Sequence, residues 1–88
     1  PFGIQFFPEG GDLIAGQPQR IAFKGESSDG SPISFSGTVF GSNGDTVARI
    51  VSEHDGMGVF TMSPQSGQDY RAEVTASDGR KLRTQLPP

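Results

Sequence analysis

With 88 residues, the chain has room for one domain and a single hydrophobic core. It contains no cysteine, which excludes disulfides and thiolate metal sites, and no apolar run reaches the roughly 20 residues of a membrane-spanning helix. Its net charge of −3 is mild and spread along the chain, which argues against a surface for nucleic acid.

The composition favours strands over helices. Thirteen glycines and seven prolines disfavour long helices, and the apolar residues are mainly phenylalanine, valine and isoleucine, which suit a pleated, half-buried surface. The chain opens on Pro1 rather than methionine and ends on two prolines. We therefore expect a piece of a longer protein, with a single domain over residues 1–88 in which residues 87–88 begin a stiff linker.

Alternating apolar and polar residues predict the first strands. Residues 2–7 form a short apolar run closed by a proline, which predicts a strand at a sheet edge, and residues 13–15 predict a brief second segment beside it. Residues 20–25 place Ile21 and Phe23 on one side, which predicts a central strand of the core.

The middle of the chain predicts two turns and two strands. The Asp-Gly pair within residues 26–32 predicts a hairpin-type loop, and the Asn-Gly pair within residues 42–45 is the strongest turn signal in the sequence. Between them, residues 33–39 alternate as a half-buried strand does. Residues 46–52 alternate imperfectly, so we expect a β-bulge near Arg49 to bring the apolar residues of this strand to one face.

Residues 57–76 predict a strand, a corner and a second strand. Gly58, Phe60 and Met62 share one face of the first strand, and residues 63–69 are rich in turn formers. A later Asp-Gly turn precedes a last strand, in which two leucines and a threonine alternate inward. The chain as a whole therefore predicts about seven short strands with no helix between them.

Tyr70 stands where the second of these strands begins, shortly after a glycine-containing turn. β-Sandwiches place a tyrosine corner at this point, and the hydroxyl of that tyrosine bonds to the backbone a few residues upstream. The alternative is that Tyr70 is simply a half-buried strand aromatic. We expect the corner.

Short strands separated by turns predict an all-β, antiparallel sandwich or small barrel. The absence of tryptophan and of a cysteine pair excludes an antibody-type immunoglobulin domain. The residues predicted to be structural are Tyr70, Phe60, Gly58, Phe23 and Phe35. The predicted core consists of Ile4, Phe6, Ile21, Phe23, Ile33, Phe35, Val39, Phe60, Met62, Tyr70, Val74 and Leu82.

Several short motifs occur in a fixed order along nearly the whole chain. They are FFPEGG at residues 6–11, L-x-A-G at 13–16, I-A-F-K-G at 21–25, G-T-V at 37–39, N-G-D at 43–45, H-D-G-M-G-V-F at 54–60 and P-x-x-G-x-x-Y-x-A at 64–72. Together they resemble macroglobulin-like domains of large exported proteins from Bacteroidetes-type bacteria. Some of those proteins are of the α2-macroglobulin and complement-like group, and others carry TonB-dependent receptor modules.

The resemblance implies a seven-stranded, immunoglobulin- or fibronectin III-like sandwich that is used in tandem as a building block. It implies no catalysis and no cofactor, because the thioester of some macroglobulins needs a cysteine beside a glutamine, and this chain has no cysteine. It also implies an exported protein, located in the periplasm or at the cell surface.

Residues with chemical potential are few. Ser52, His54 and Asp55 supply the residue types of a catalytic triad, but neighbours on one turn rarely achieve its geometry, so we predict a structural His54 and no catalytic residue. Calcium needs six to eight oxygen ligands, and turn formation explains the paired carboxylates without an ion, so we predict no metal site. Those pairs are Glu9 with Asp12, Glu26 with Asp29 and Glu53 with Asp55.

Two kinds of surface residue remain. Residues 80, 81 and 83 form the only basic cluster, for which the alternatives are contact with an acidic partner and the more common role of charges on a final strand, protection of a sheet edge. Phe2, Phe7 and Phe40 are expected to be exposed, where they would contact an adjacent domain or stack on sugar rings.

The leading hypothesis is therefore a non-catalytic structural module whose partners are neighbouring domains of the same polypeptide, or another protein or a glycan. The alternative is a surface adhesion or carbohydrate-binding module, which a row of exposed aromatic residues on one sheet face would favour.

Overall fold

The computed structural model describes residues 2–11 and 14–87, and in these ranges it contains seven β-strands and no helix. The strands are β1 (Phe2–Pro8), β2 (Gln19–Ser27), β3 (Phe35–Gly41), β4 (Thr46–Val51), β5 (Met57–Met62), β6 (Tyr70–Ala76) and β7 (Lys81–Gln85). Each of the seven overlaps a strand that the alternation of the sequence predicts.

The strands pair into two antiparallel sheets. The three-stranded sheet has the order β1-β2-β5, and the four-stranded sheet has the order β4-β3-β6-β7. The two sheets enclose one core and form a seven-stranded antiparallel sandwich, which is the architecture that the resemblance implies and one of the two that the strand pattern allows. Strand β1 begins at one end of the sandwich, here called the entry end, and β7 finishes at the other, here called the exit end.

The brief segment expected after β1 is not a strand in its described part. Leu13 lies outside the described residues, and the two residues after it belong to the connection between β1 and β2. The backbone N–H of Ile14 donates to Gln19 Oε1 at 2.6 Å, and the N–H of Gly16 donates to the carbonyl oxygen of Pro64 at 2.7 Å. These bonds tie the connection to the side chain of the first residue of β2 and to the connection before β6, and neither of them is a backbone bond between paired strands.

The loop over residues 26–32 does not join the two strands of a hairpin, because β2 and β3 belong to different sheets. Locally the chain does turn back on itself. Glu26 and Pro32 form an isolated antiparallel bridge, and the N–H of Ser27 donates to the carbonyl oxygen of Ser31 at 2.9 Å. The predicted turn therefore lies within a connection that carries the chain from one sheet to the other.

The β-bulge of β4 lies at Val47, earlier in the strand than its expected position near Arg49. The register between β3 and β4 shifts at this point, so that Val47 is the extra residue. Val47 and Ile50 both contact the core, whereas Val51 is 56% exposed. The bulge thus brings two of the three apolar side chains inward and leaves the third on the outer face.

All of the predicted core residues are buried or pack against the buried cluster. Five other side chains are buried but are absent from the predicted core, namely Phe2, Ile50, Ala72, Ala76 and Leu86, although Leu86 is among the residues expected to face inward in the last strand. Alternation indicates which side chains of a strand face inward, but small residues such as alanine and residues at the ends of strands give little indication of burial in the sequence.

The expectation that Phe2 is exposed is wrong. Phe2 lies on the same parity as Ile4 and Phe6, its side chain is only 9% exposed, and the Arg80 guanidinium lies 5.3 Å from the centre of its ring. Phe7 and Phe40 were also expected to be exposed. Phe7 is 51% exposed, whereas the side chain of Phe40 on β3 is half-buried.

Candidate functional site

Tyr70 forms a buried corner at the exit end of the sandwich. Its side chain is 6% exposed, and its hydroxyl accepts a hydrogen bond from the backbone N–H of Gln65 at 2.8 Å. The carbonyl oxygen of Tyr70 in turn accepts a hydrogen bond from the N–H of Leu86 at 2.9 Å. The tyrosine therefore fastens the connection before β6 and the chain after β7 to the same point, which is the geometry of a tyrosine corner.

We expect the Tyr70→Phe variant to lose about 1–2 kcal/mol of unfolding free energy, because the N–H of Gln65 loses its partner in a partly buried position. Urea denaturation measures the loss. The Gln65→Ala variant is the control, since it keeps the backbone N–H and should leave the midpoint nearly unchanged. An unaltered midpoint in Tyr70→Phe would contradict a stabilising corner.

Three phenylalanine rings connect the two sheets at the centre of the core. The ring centroid of Phe23 lies 5.3 Å from that of Phe35 in the opposite sheet and 6.1 Å from that of Phe60 on the adjacent strand. Gly58 provides the space for this contact, because a Cβ at that position would lie 2.5 Å from the Cζ of Phe23. Four of the five predicted structural residues therefore pack together at the centre of the core, and the fifth, Tyr70, lies at the exit end.

The residues that resemble a catalytic triad serve a tight turn. Asp55 and the glycine after it have φ values of 52° and 76°, as a two-residue type I′ turn requires. His54 Nε2 lies 3.2 Å from Asp55 Oδ2 with both side chains mainly exposed. The hydroxyl of Ser52 accepts a hydrogen bond from the backbone N–H of Phe35 at 2.9 Å. The hydroxyl is therefore engaged with backbone, and no hydrogen bond joins these described residues into a relay.

The paired carboxylates do not converge on a common point. Asp12 lies outside the described residues, and within residues 2–11 and 14–87 no group of three or more histidine or carboxylate side chains is placed to hold a metal ion. Asp29 instead organises its own loop. The Ser27 hydroxyl and the Ser31 N–H donate to its carboxylate, and these bonds lower the pKa of Asp29 to about 2.

An exposed apolar strip crosses the outer face of the three-stranded sheet. The register places Phe7 beside Ala22 and Ala22 beside Val59, and Met57 lies next along the same strand as Val59. Phe7, Val59 and Met57 are 51%, 45% and 42% exposed. These four residues are the apolar strip. Met57 and Val59 have the opposite parity to Gly58, Phe60 and Met62 on β5, but the contact candidates named from the sequence were aromatic and basic residues.

Charged pairs border the apolar strip along the sheet. On the exit side, Arg20 Nε lies 3.7 Å from Glu9 Oε2, and on the entry side Lys24 Nζ lies 3.5 Å from Glu26 Oε2. An apolar centre with a polar rim is the usual anatomy of a protein–protein contact. Phe7 is the only exposed phenylalanine among the described residues, so they form no row of aromatic side chains for sugar stacking.

The described residues contain no helix long and apolar enough to cross a membrane. In comparisons with known proteins, no family model matches the chain and no curated protein matches it. The candidate contact surface is therefore defined by the geometry of the chain itself.

Proposed function

We propose that this chain is a non-catalytic β-sandwich module of a larger exported bacterial protein, where it spaces and contacts neighbouring domains. The observation that carries the proposal is the apolar strip formed by Phe7, Ala22, Val59 and Met57. Contiguous exposed apolar side chains within a polar rim are characteristic of contact surfaces.

The size of the strip favours a neighbour on the same polypeptide over a separate partner. Four side chains, none more than about half exposed, offer far less than the ~800 Å² per partner that a standard stable interface buries. Covalent linkage raises the effective concentration of a neighbouring domain, so that a small contact is sufficient to hold it.

The direction of the strands supports a spacing role. Because β1 begins at the entry end and β7 finishes at the exit end, sequence attached before β1 and after β7 leaves from opposite ends of the sandwich. The longest dimension of the molecule is 35 Å. Modules of this kind extend a chain when joined end to end. The macroglobulin-like and exported character of the proposal is supported by the ordered motifs alone, with the periplasm or cell surface as the location.

Oxidation of the two methionines tests the contact. Met57 is 42% exposed on the apolar strip, whereas Met62 is 4% exposed in the core and serves as an internal control. Peroxide should oxidise Met57 first in the isolated module, because accessible thioethers react faster. In the longer polypeptide with its flanking sequence, we expect the oxidation rate of Met57 to fall at least about fivefold. Mass spectrometry of proteolytic peptides follows both sites.

A variant of the longer polypeptide strengthens this test. Phe7→Gln should restore rapid oxidation of Met57, because it removes the largest side chain of the apolar strip. Equal rates for Met57 in the isolated module and in the longer polypeptide would show that no neighbour covers this face.

A further inference from the structure

The outer face of the four-stranded sheet concentrates the positive charge of the molecule. Strand register and alternation place five charged side chains on this face, which we call the basic face: Arg49, Arg71, Glu73, Lys81 and Arg83. These side chains have a net charge of +3, whereas the whole chain has a net charge of −3, so the remaining residues carry −6. Lys81 and Arg83 of the basic cluster seen in the sequence therefore belong to a larger surface, whereas Arg80 precedes β7 and pairs with Asp78.

The cations lie on neighbouring rows that cross all four strands. One row runs from Arg49 through Thr38 and Glu73 to Arg83. The basic face therefore has cations at both of its edges, on β4 and β7, and polar side chains between them.

Glu73 limits the charge at the centre of the basic face. Arg71 Nε lies 2.9 Å from Glu73 Oε2, and Arg83 Nε lies 3.5 Å from the same oxygen. The hydrogen bond from Arg71 and the nearby charge of Arg83 lower the pKa of Glu73 below its usual value. The Glu73 carboxylate therefore pairs with two of the four cations. The other two, Arg49 and Lys81, form no ion pair with a carboxylate of the described residues.

A shallow depression lies beside these cations, toward the entry end of the basic face. Five hydroxyl residues line it together with three apolar residues, Phe35, Val51 and Ala76, and the hydroxyl residues are Ser34, Ser36, Ser52, Thr75 and Ser77. The only aromatic ring on the basic face is that of Phe40, and the Arg71 guanidinium covers it at 5.1 Å from the ring centroid. The basic face therefore offers cations and hydroxyls but no exposed ring.

We propose that the basic face binds a polysaccharide that carries carboxylate groups. The arginines match carboxylates, and the serine and threonine hydroxyls can donate to and accept from sugar hydroxyls. A protein partner is disfavoured because this face, although it carries arginines, lacks the exposed aromatic and methionine side chains that are also enriched in protein contacts. Single-stranded nucleic acid is disfavoured because no uncovered ring is present for base stacking. This binding role is independent of the apolar strip, which lies on the other sheet.

The decisive experiment uses a gain of binding. Titration calorimetry at low salt measures the affinity of the chain for an oligogalacturonate probe. The Glu73→Gln variant removes the only carboxylate of the basic face and releases Arg71 and Arg83, so we expect binding to tighten by about threefold to fivefold. Glu26→Gln on the other sheet makes the same change in net charge and releases Lys24, and it should leave the affinity unchanged.

A loss of binding provides the complementary measurement. Replacing Arg49 and Lys81 together by glutamine should weaken oligogalacturonate binding by about tenfold or more, since both unpaired cations are removed. Replacing Arg20 and Lys24 together by glutamine is the matched control on the other sheet and should have little effect. All of these side chains are on the surface, so each variant can be checked for an unchanged denaturation midpoint.

Three results would overturn the proposal. One is no measurable binding of the oligogalacturonate by the unaltered chain. Another is equal affinity for the methyl-esterified probe, which has no charge, or for a single-stranded oligonucleotide of the same charge. The third is equal tightening by Glu73→Gln and Glu26→Gln, because that result would reflect net charge alone and not this face.

Discussion

Replacing Phe60 by alanine is expected to reduce the free energy of unfolding by about 3–5 kcal/mol, because it leaves a cavity in the centre of the core. The Phe60 side chain is 6% exposed, and its ring centroid lies 6.1 Å from that of Phe23 and 6.3 Å from that of Phe6. These rings belong to three different strands of one sheet, so they cannot close the space without moving the sheet. Urea denaturation followed by fluorescence or circular dichroism measures the change.

The matched control is Phe7→Ala. Phe7 is 51% exposed on the outer face of the same sheet, so its removal should change the stability of the isolated chain by less than about 1 kcal/mol. Similar losses for the two variants would mean that the inward and outward faces of this sheet have been exchanged. The comparison therefore tests the strand register as well as the core.

Replacing Gly37 by alanine is expected to destabilise the sandwich by about 3 kcal/mol, at the upper end of the usual effect of overpacking. A Cβ at this position would lie 2.1 Å from the carbonyl oxygen of Glu73 and 2.6 Å from the Cα of Val74. Both of these atoms belong to the backbone of β6, so a side-chain rotation cannot relieve the clash. The pairing between β3 and β6 at the centre of the four-stranded sheet must shift instead.

Gly3→Ala is the control for backbone effects of the substitution. Gly3 also lies in a strand, but no atom lies within 4 Å of the Cβ that alanine would add. Alanine also restricts the unfolded chain more than glycine does, so this variant should be neutral or slightly more stable. A chemical denaturation midpoint for Gly37→Ala close to that of Gly3→Ala would show that β3 and β6 are not packed this tightly.

Two of the differences between the predicted and the observed fold have a common cause, which is pairing with a distant strand. The β-bulge was expected near Arg49 but lies at Val47, because the extra residue is identified by its partner on β3 and not by its own neighbours. The loop over residues 26–32 has a local turn, yet only the pairing of the strands shows that it crosses between sheets. The error at Phe2 has another cause. Phe2 has the same parity as Ile4 and Phe6, so the sequence alone was sufficient to place its side chain on the inward face of β1.

For the two candidate surfaces, too, the sequence indicates which side chains are exposed, whereas strand pairing decides which of them are neighbours. Alternation alone separated Met57 and Val59 from the buried face of β5, but their position beside Phe7 depends on β2 lying between the two edge strands. Likewise, Arg49 and Arg83 are far apart in the sequence, and the register through β3 and β6 brings them to one row. Neither surface is visible in a linear pattern.

The sequence by itself determined the seven strands, the inward parity of most of them and the place of Tyr70, because these depend on backbone alternation and turn chemistry between near neighbours. The tertiary structure alone decided which strands share a sheet, where the bulge falls and which exposed side chains form one surface. Those features arise from hydrogen-bond pairing between distant segments, and the register of that pairing is set by how two apolar faces fit together in the core.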